Sequence, residues 1–468
     1  MQDKILSIVA TANGYLADYI LVILLIVTGL YFTIRTKFVQ VRCFGEGMKK
    51  VFGNIKLKGG KQAGGLSSFQ ALATAIAAQV GTGNIVGASG AILVGGPGAI
   101  FWMWIIAFLG MATIYAEAVL AQETREVDAN GEVHGGPVYY IKKAFKGGFG
   151  KFLAVFFSIA IILALGFMGS MVQSNSIAEA CNTAFGIPTW IIGAVVAVLS
   201  AIIFIGGIQR IASVTEKLVP IMAVIFLLGG LVILAVNIKV IPATFAMIFK
   251  YAFTPSALIG GGIGAAIKTA ISQGAKRGLF SNEAGMGSTP HAHAMAKVEK
   301  PHDQGVVAMI GVFIDTFVVL TMTALVVISS LYAKEGGVLY GLSGESYLSA
   351  IANDVSKTNA MQQAASSVFG NFGSIFVAIC LLFFAFSTIL SWNFFGKLNV
   401  QSLFKNSKVA TLVYSIIAIA FIFLGSLLQN DLVWELTDFF NYLMVIPNVL
   451  ALFALSALVV KASKNKKK

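Results

Sequence analysis

Charge is scarce in this sequence. Of 468 residues only 33 are Lys or Arg and 20 are Asp or Glu, so charged side chains make up 11%, against roughly 25% in an average soluble domain. So little charge cannot clothe a water-facing surface of this size, which excludes an ordinary soluble globular protein. Cysteine is scarcer still: Cys43, Cys181 and Cys380 stand far apart, with no C-x-x-C pair and an odd count, so they read as packing residues and not as a disulfide framework. Among the four histidines only His291 and His293 are close, and residues two apart diverge on a helix, so no metal site is expected there. Glu117, Glu283, Asp315 and the histidines fall at neither nucleophile nor metal-ligand spacing, which argues against an enzyme. No filter-like repeat suggests a channel, and nothing calls for an organic cofactor.

What is abundant is apolar sequence, 57% of the chain. Runs of about 20 such residues cross a hydrocarbon core as helices. The chain offers eleven: 19–34, 69–94, 97–120, 152–181, 187–207, 214–236, 257–290, 304–333, 368–398, 409–428 and 433–460. The fold class expected is an all-α polytopic membrane protein. The first run lacks a small-residue cleavage pattern and is followed by more spans, so it reads as retained and not as a signal peptide.

Basic residues orient the spans. The loop after the first holds Arg35, Lys37, Arg42, Lys49, Lys50, Lys56, Lys58 and Lys61. The positive-inside rule therefore puts that loop in the cytoplasm and the N-terminus outside. Alternate loops then carry Arg125, Lys142, Lys143, Lys146 and Lys151; Arg210; Lys276, Arg277, Lys297 and Lys300; and Lys397, Lys405 and Lys408, all expected inside with the basic C-terminal tail. The net charge of +13 is thus explained by topology, and no nucleic-acid partner is implied. Between spans, 123–151 suggests a short helix at the inner surface, and 334–368 an outer segment over a vestibule; a plain loop is the alternative for each.

Two spans are interrupted. Gly81-Thr-Gly-Asn-Ile-Val-Gly87 sits mid-way through 69–94, where a continuous helix gains nothing from three glycines. Backbone freed at that depth must be satisfied by protein, water or ligand, so a break implies a cavity, unless Gly83 and Gly87 serve only close helix packing. The second interruption, Lys276 to Pro290, adds the carboxylate Glu283 to glycines and hydroxyls. Ionisable groups inside a membrane are costly, which makes Glu283 a candidate for function; an anchor at the cytoplasmic end, or a pair with Lys276 or Arg277, is the other reading. The same argument marks Asp315 with Thr316 as a second cation-site candidate, beside a structural hydrogen bond as the alternative.

The breaks are five spans apart. With the first span and its basic loop (1–68) set aside, two five-helix repeats follow, 69–236 and 257–460, each opening on a broken helix, and then the tail 461–468. Corresponding broken helices in two halves point to a transporter site built on inverted repeats. Half-helix ends offer N–H groups to a carboxylate and carbonyls to a cation, which suits a zwitterionic amino acid.

At these residues the chain resembles the alanine or glycine:cation symporter family, the sodium:alanine symporters of prokaryotes. The resemblance runs through Gln79 to Gly87, Gly95-Gly-Pro-Gly98 to Trp104, Tyr115-Ala-Glu117, Gly135-Gly-Pro137, Lys276-Arg-Gly278 with Phe280 to Gly285, and Ser387-Thr388 with Trp392. It implies a leucine-transporter-like fold with one extra N-terminal span in the cell (inner) membrane. It also implies import of a small neutral amino acid with sodium as coupling ion by alternating access, without an obligate protein partner. Carried over, Gln79 and Gly83 face the substrate with Gln173; Phe280, Ser281, Asn282 and Glu283 form the opposite wall; Trp392 is an apolar lid. The implied sodium ligands are the carbonyls of Ala77 and Val80 and the hydroxyls of Ser387 and Thr388. By their chemistry alone, Gln173 to Ser176 also fit interhelical hydrogen bonding, and the two hydroxyls also fit bonds to their own helix. Position 79 departs from the family's alanine-selective members, which carry Thr. The longer Gln amide either fills the pocket against anything larger than alanine or hydrogen-bonds a polar substrate such as glutamine, and both readings stand.

Overall fold

A computed structural model describes residues 2–53, 66–129, 131–259 and 262–464. The expected cytoplasmic residues Lys56, Lys58 and Lys61 and the last four residues of the tail lie outside the described residues. The helices that frame the spans and their breaks are numbered here α1 (Gln2–Arg35), α2 (Ser68–Gln79), α3 (Gly83–Gly95), α4 (Ala99–Thr124), α5 (Gly147–Phe185), α6 (Thr189–Ile205), α7 (Gly207–Val236), α8 (Ile263–Asn282), α9 (Pro290–Met295), α10 (Pro301–Ala333), α11 (Asn371–Leu403), α12 (Lys408–Gly425) and α13 (Asn430–Ala454). Among the described residues eight helices are long and apolar enough to cross a membrane, and the bent pair α2–α3 makes nine. The other two expected spans fall on α6, which is only 17 residues long, and on α8, interrupted before α9.

The first break is written in local chemistry. Ser67 and Gln70 form a reciprocal capping box, the Ser67 hydroxyl accepting from the Gln70 N–H and the Gln70 side chain from the Ser67 N–H, which starts α2 firmly. Val80 then turns extended (φ −81°, ψ 90°), and the chain resumes as α3 at an angle of 45°. In the second, Glu283, Gly285 and Gly287 all take positive φ (57°, 97° and 77°), a conformation that glycine adopts freely and glutamate only under constraint. Small residues let the helices around these breaks close in. A Cβ added at Gly274 of α8 would stand 2.6 Å from Trp102 Cβ of α4, so these helices meet almost backbone to backbone.

The two ends of the bundle are distinct. Leu66, before α2, pairs with the strand-like segment after α9, its N–H donating to the Met295 carbonyl (3.0 Å) while the Lys297 N–H donates to its own carbonyl (3.1 Å). Near it a short hairpin (Glu126–Val127 with Val133–His134) leads into the helix Pro137–Ala144. At the opposite end the segment between α10 and α11 forms the helices Gly344–Asn353 and Ala360–Phe369, and Tyr347 donates to the Leu93 carbonyl near the end of α3 (2.8 Å). The basic-residue count needs one correction. Lys276 and Arg277 do not share a loop with Lys297 and Lys300; they lie inside α8, and Arg277 packs against Gly87 and Trp434, toward the end away from Leu66. Glycines and polar residues from 276 onward look like a loop, yet the helix continues through them to Asn282.

Candidate functional site

The two breaks touch. A Cβ at Gly83 would stand 3.0 Å from the Phe280 ring and 3.1 Å from Ser281 Cα, so Gly83 brings α3 against the last turn of α8. Across this contact Gln79 donates to the carbonyl of Asn282 (2.8 Å), linking one break to the other, while its own amide oxygen is buried with no partner. Gln173 of α5 uses its oxygen to accept from the Thr82 N–H (3.1 Å), and its amide nitrogen is likewise buried and unpaired. Thus Gln79, Gly83, Gln173, Phe280, Ser281 and Asn282 assemble around the breaks. The neighbouring Asn175 instead donates to the carbonyls of Gly425 (2.9 Å) and Leu428 (3.0 Å), the interhelical role.

Asp315 lies beside them. Its carboxylate accepts from Asn84 (2.6 Å), from Ser281 (2.9 and 3.0 Å) and from Thr316 (2.8 Å), and Asn282 donates to Thr316 (3.3 Å). Asn84 is held by the Gly81 N–H, which donates to its side-chain oxygen (2.9 Å). Hydroxyls from α8 and α10 and an amide N–H from α3 therefore surround one carboxylate.

The second oxygen cluster is at the end of α2. Thr388 of α11 donates to the Ala77 carbonyl (2.8 Å) and stands 3.4 Å from the Val80 carbonyl, and the backbone at Gly81 is close enough that a Cβ there would collide with the Thr388 hydroxyl. Ser387 does not join it. Its hydroxyl turns to the Phe384 carbonyl (2.8 Å) and the Met222 sulfur (3.5 Å), because adjacent residues on a helix point in different directions.

Glu283 takes neither a lysine nor an arginine. One of its oxygens accepts from the Trp392 indole (2.5 Å) and the other from Ser288. Trp392 meets Phe280 edge-on at 5.7 Å, and Gly169 lies against its ring, so the expected lid is held at its indole nitrogen by the carboxylate. The pairing of Glu283 with Lys276 or Arg277 is absent, since Lys276 reaches Asp18 (3.5 Å) and Arg277 reaches Asp438 (2.9 Å).

Toward the end near Leu66, residues that sequence reasoning missed hold the second break. Glu117 of α4 accepts from the N–H groups of Gly285 (3.1 Å) and Gly287 (2.9 Å) and from Asn448 of α13 (2.6 Å); Tyr140 in turn donates to Asn448 (2.5 Å). His291 Nδ1 donates to the Ser288 carbonyl (2.7 Å), which leaves Nε2 to accept from Asn399 (2.8 Å): a neutral, structural histidine. A Cβ at Gly136, which takes φ 116°, would stand 2.8 Å from that imidazole, and one at Gly135 2.5 Å from the Ala294 Cβ, which accounts for the two glycines of the Gly-Gly-Pro motif. The available signal was Glu117 itself, a carboxylate deep in an apolar span.

Toward the other end the site is covered by Phe280, Trp434 and Arg277. Phe280 and Trp434 are 4.6 Å apart, and the Arg277 guanidinium sits 4.6 Å over the Trp434 ring while paired with Asp438. Lys357, from the segment between α10 and α11, pairs with Asp431 (2.6 Å) above them. Burial pushes its ammonium below the ordinary value, though Asp431 pulls the other way. Every expected site side chain is buried, Phe280 being the most exposed at 3%, so the site is closed toward both ends.

One charge imbalance stands out. Glu117, Glu283 and Asp315 are all at 0% exposure, and among the described residues none is paired with a Lys or Arg. Buried carboxylates without a cationic partner are neutralised by a proton or attract a cation.

A profile of the sodium:alanine symporter family matches residues 2–468. The sodium/alanine symporter AgcS of Methanococcus maripaludis is 42% identical over 460 residues, covering 98% of this chain and 96% of its own. The putative sodium/proton-dependent alanine carrier protein YrbD and the probable sodium/glutamine symporter GlnT, both of Bacillus subtilis, are each 39% identical, covering 98% and 99% of this chain and 91% of their own. Among solved structures, MhsT in complex with L-phenylalanine superposes with a TM-score of 0.61 at 16% identity, over 87% of this chain and 97% of that one, a likeness of fold alone.

Proposed function

The chain belongs to the sodium:alanine symporter family, and from that premise we propose that it imports a small neutral amino acid, alanine or glycine, together with sodium by alternating access. The basic loops give the orientation: the end at Leu66 and Lys297 faces the cytoplasm, with the N-terminus outside. The two five-helix units, 69–236 and 257–460, rock about the touching breaks as inverted repeats.

The observation that carries cation coupling is the set of oxygens at the first break. Ala77 and Val80 offer carbonyls 2.8 and 3.4 Å from the Thr388 hydroxyl, the oxygen donors a hard cation takes. Asp315, with Ser281, Thr316 and Asn84 around it, is a second place for a cation, either sodium or a proton on the carboxylate. The substrate lies between the breaks. Its ammonium suits the unpaired oxygen of Gln79 and its carboxylate the unpaired nitrogen of Gln173, each of which otherwise costs about 1–3 kcal/mol as a buried orphan. Trp392, held by Glu283, covers the side chain.

Size selection follows from Gln79. Its amide nitrogen is already spent on the Asn282 carbonyl, so the side chain fills space across the site, which favours alanine or glycine. The second reading, a polar substrate such as glutamine, is favoured by the free Gln79 oxygen, which would accept from a substrate amide. Competition of labelled alanine uptake by glycine, alanine, serine and glutamine separates them. With size selection, glutamine competes poorly in wild type and gains in Gln79→Thr. With polar recognition, glutamine outcompetes alanine in wild type and loses about 5- to 150-fold in the variant, the worth of one unpaired buried group. The second pattern would replace alanine by glutamine as the substrate.

A further inference from the structure

A cavity of about 550 Å³ opens between α6, the end of α11 and the start of α12, remote from the breaks. Its walls are of two kinds. Ile205, Leu412 and Ile416 are apolar and 85%, 61% and 58% exposed, so this side is continuous with the surface that lipid covers. The other side carries Lys397, Gln401 and Lys408. Lys397 is partly buried, yet no carboxylate pairs with it among the described residues. Lys408 opens α12, where the helix dipole disfavours a cation unless an anion is near. The contrast with the adjoining cavity of about 410 Å³ is informative, because there Lys142 and Lys405 share the walls with Glu126 and Asp128. Of these two cavities, the membrane-facing one has no acid among its lining residues.

We propose that this cavity is a site for one anionic phospholipid, its phosphate held by Lys397 and Lys408 and an acyl chain lying along Ile205, Leu412 and Ile416. The volume falls in the range of small-molecule sites, and basic pockets between membrane helices on the cytoplasmic side take anionic headgroups. Lys397 is on the helix that carries Thr388 and Trp392, so a lipid fixed there steadies the helix that closes the site.

The test is native mass spectrometry of the full-length protein offered equimolar phosphatidylglycerol and phosphatidylcholine. Wild type is expected to retain one phosphatidylglycerol with a preference on the order of tenfold, as two lysines near an anionic headgroup supply. The Lys397→Gln/Lys408→Gln double variant is expected to lose the preference, while Lys397→Arg and the control Lys142→Gln in the adjoining cavity keep it. Equal retention of both lipids by wild type, which needs no variant to fold, would overturn the proposal. So would displacement of phosphatidylglycerol by millimolar inorganic phosphate, which would mark a site for free anions.

Discussion

Glu117→Ala is expected to abolish transport and to destabilise the purified protein more than any other single change at the second break. The carboxylate accepts from two buried N–H groups, those of Gly285 and Gly287, with no other acceptor for them among the described residues, and it also takes a hydrogen bond from Asn448. Each buried donor left unsatisfied costs about 1–3 kcal/mol, and in a membrane interior water is not at hand to replace the lost partner, so the two N–H groups together stand for roughly 2–6 kcal/mol. Glu117→Gln retains an acceptor oxygen and is expected to fall between. Thermal unfolding in detergent, read beside uptake in liposomes, checks this ranking. If Glu117→Ala melts and transports like wild type, the carboxylate does not hold the break.

The second large effect belongs to Arg277 and Asp438. Asp438 is buried and Arg277 nearly so, at 3% and 12% side-chain exposure, and the two are 2.9 Å apart. Removing either partner strands the other's charge, a loss of about 3–5 kcal/mol, whereas replacing both with apolar groups of similar volume is often neutral. Arg277→Ala and Asp438→Ala should therefore each unfold at markedly lower temperature than Arg277→Met/Asp438→Leu. The comparison is made by thermal unfolding of the three variants, and a double variant as unstable as the sum of the singles would refute the stranded-charge explanation. Trp434 adds a separate contact, since it lies under the guanidinium and packs against the Phe280 ring.

These two sites also mark where sequence reasoning reaches and where it stops. Interruptions at Gly81–Gly87 and within Lys276–Pro290 are visible in sequence because glycines at bilayer depth have no role in a continuous helix; the structure bends the chain at the first and confines the second to the residues after Asn282. Thr388 beside Ala77 and Val80 follows from the family resemblance, but the divergence of Ser387 depends on which face of α11 meets α2, and no local pattern records that. Glu117 carries the same signal as Glu283. Its partner, however, is 168 residues away, a pairing that only the packed fold reveals. Arg277 misleads in the opposite sense: a basic residue near glycines looks like a cytoplasmic loop, and only a buried carboxylate on another helix makes its burial tolerable. Asn84, bound to Asp315 across the breaks, is hidden for the same reason, because an Asn between glycines is equally at home in a turn.

Sodium coupling through the oxygens gathered at the first break is what we propose for this chain. It is tested most directly by alanine uptake into liposomes holding the purified protein, with sodium varied outside and potassium inside. Alanine is expected to accumulate, and the accumulation to collapse when the sodium gradient is removed. Thr388→Ala is expected to raise the sodium needed for half-maximal uptake by about tenfold, the equivalent of roughly 1.4 kcal/mol, while Ser387→Ala shifts it far less. Accumulation indifferent to the sodium gradient, or an unchanged sodium dependence in well-folded Thr388→Ala, would contradict it.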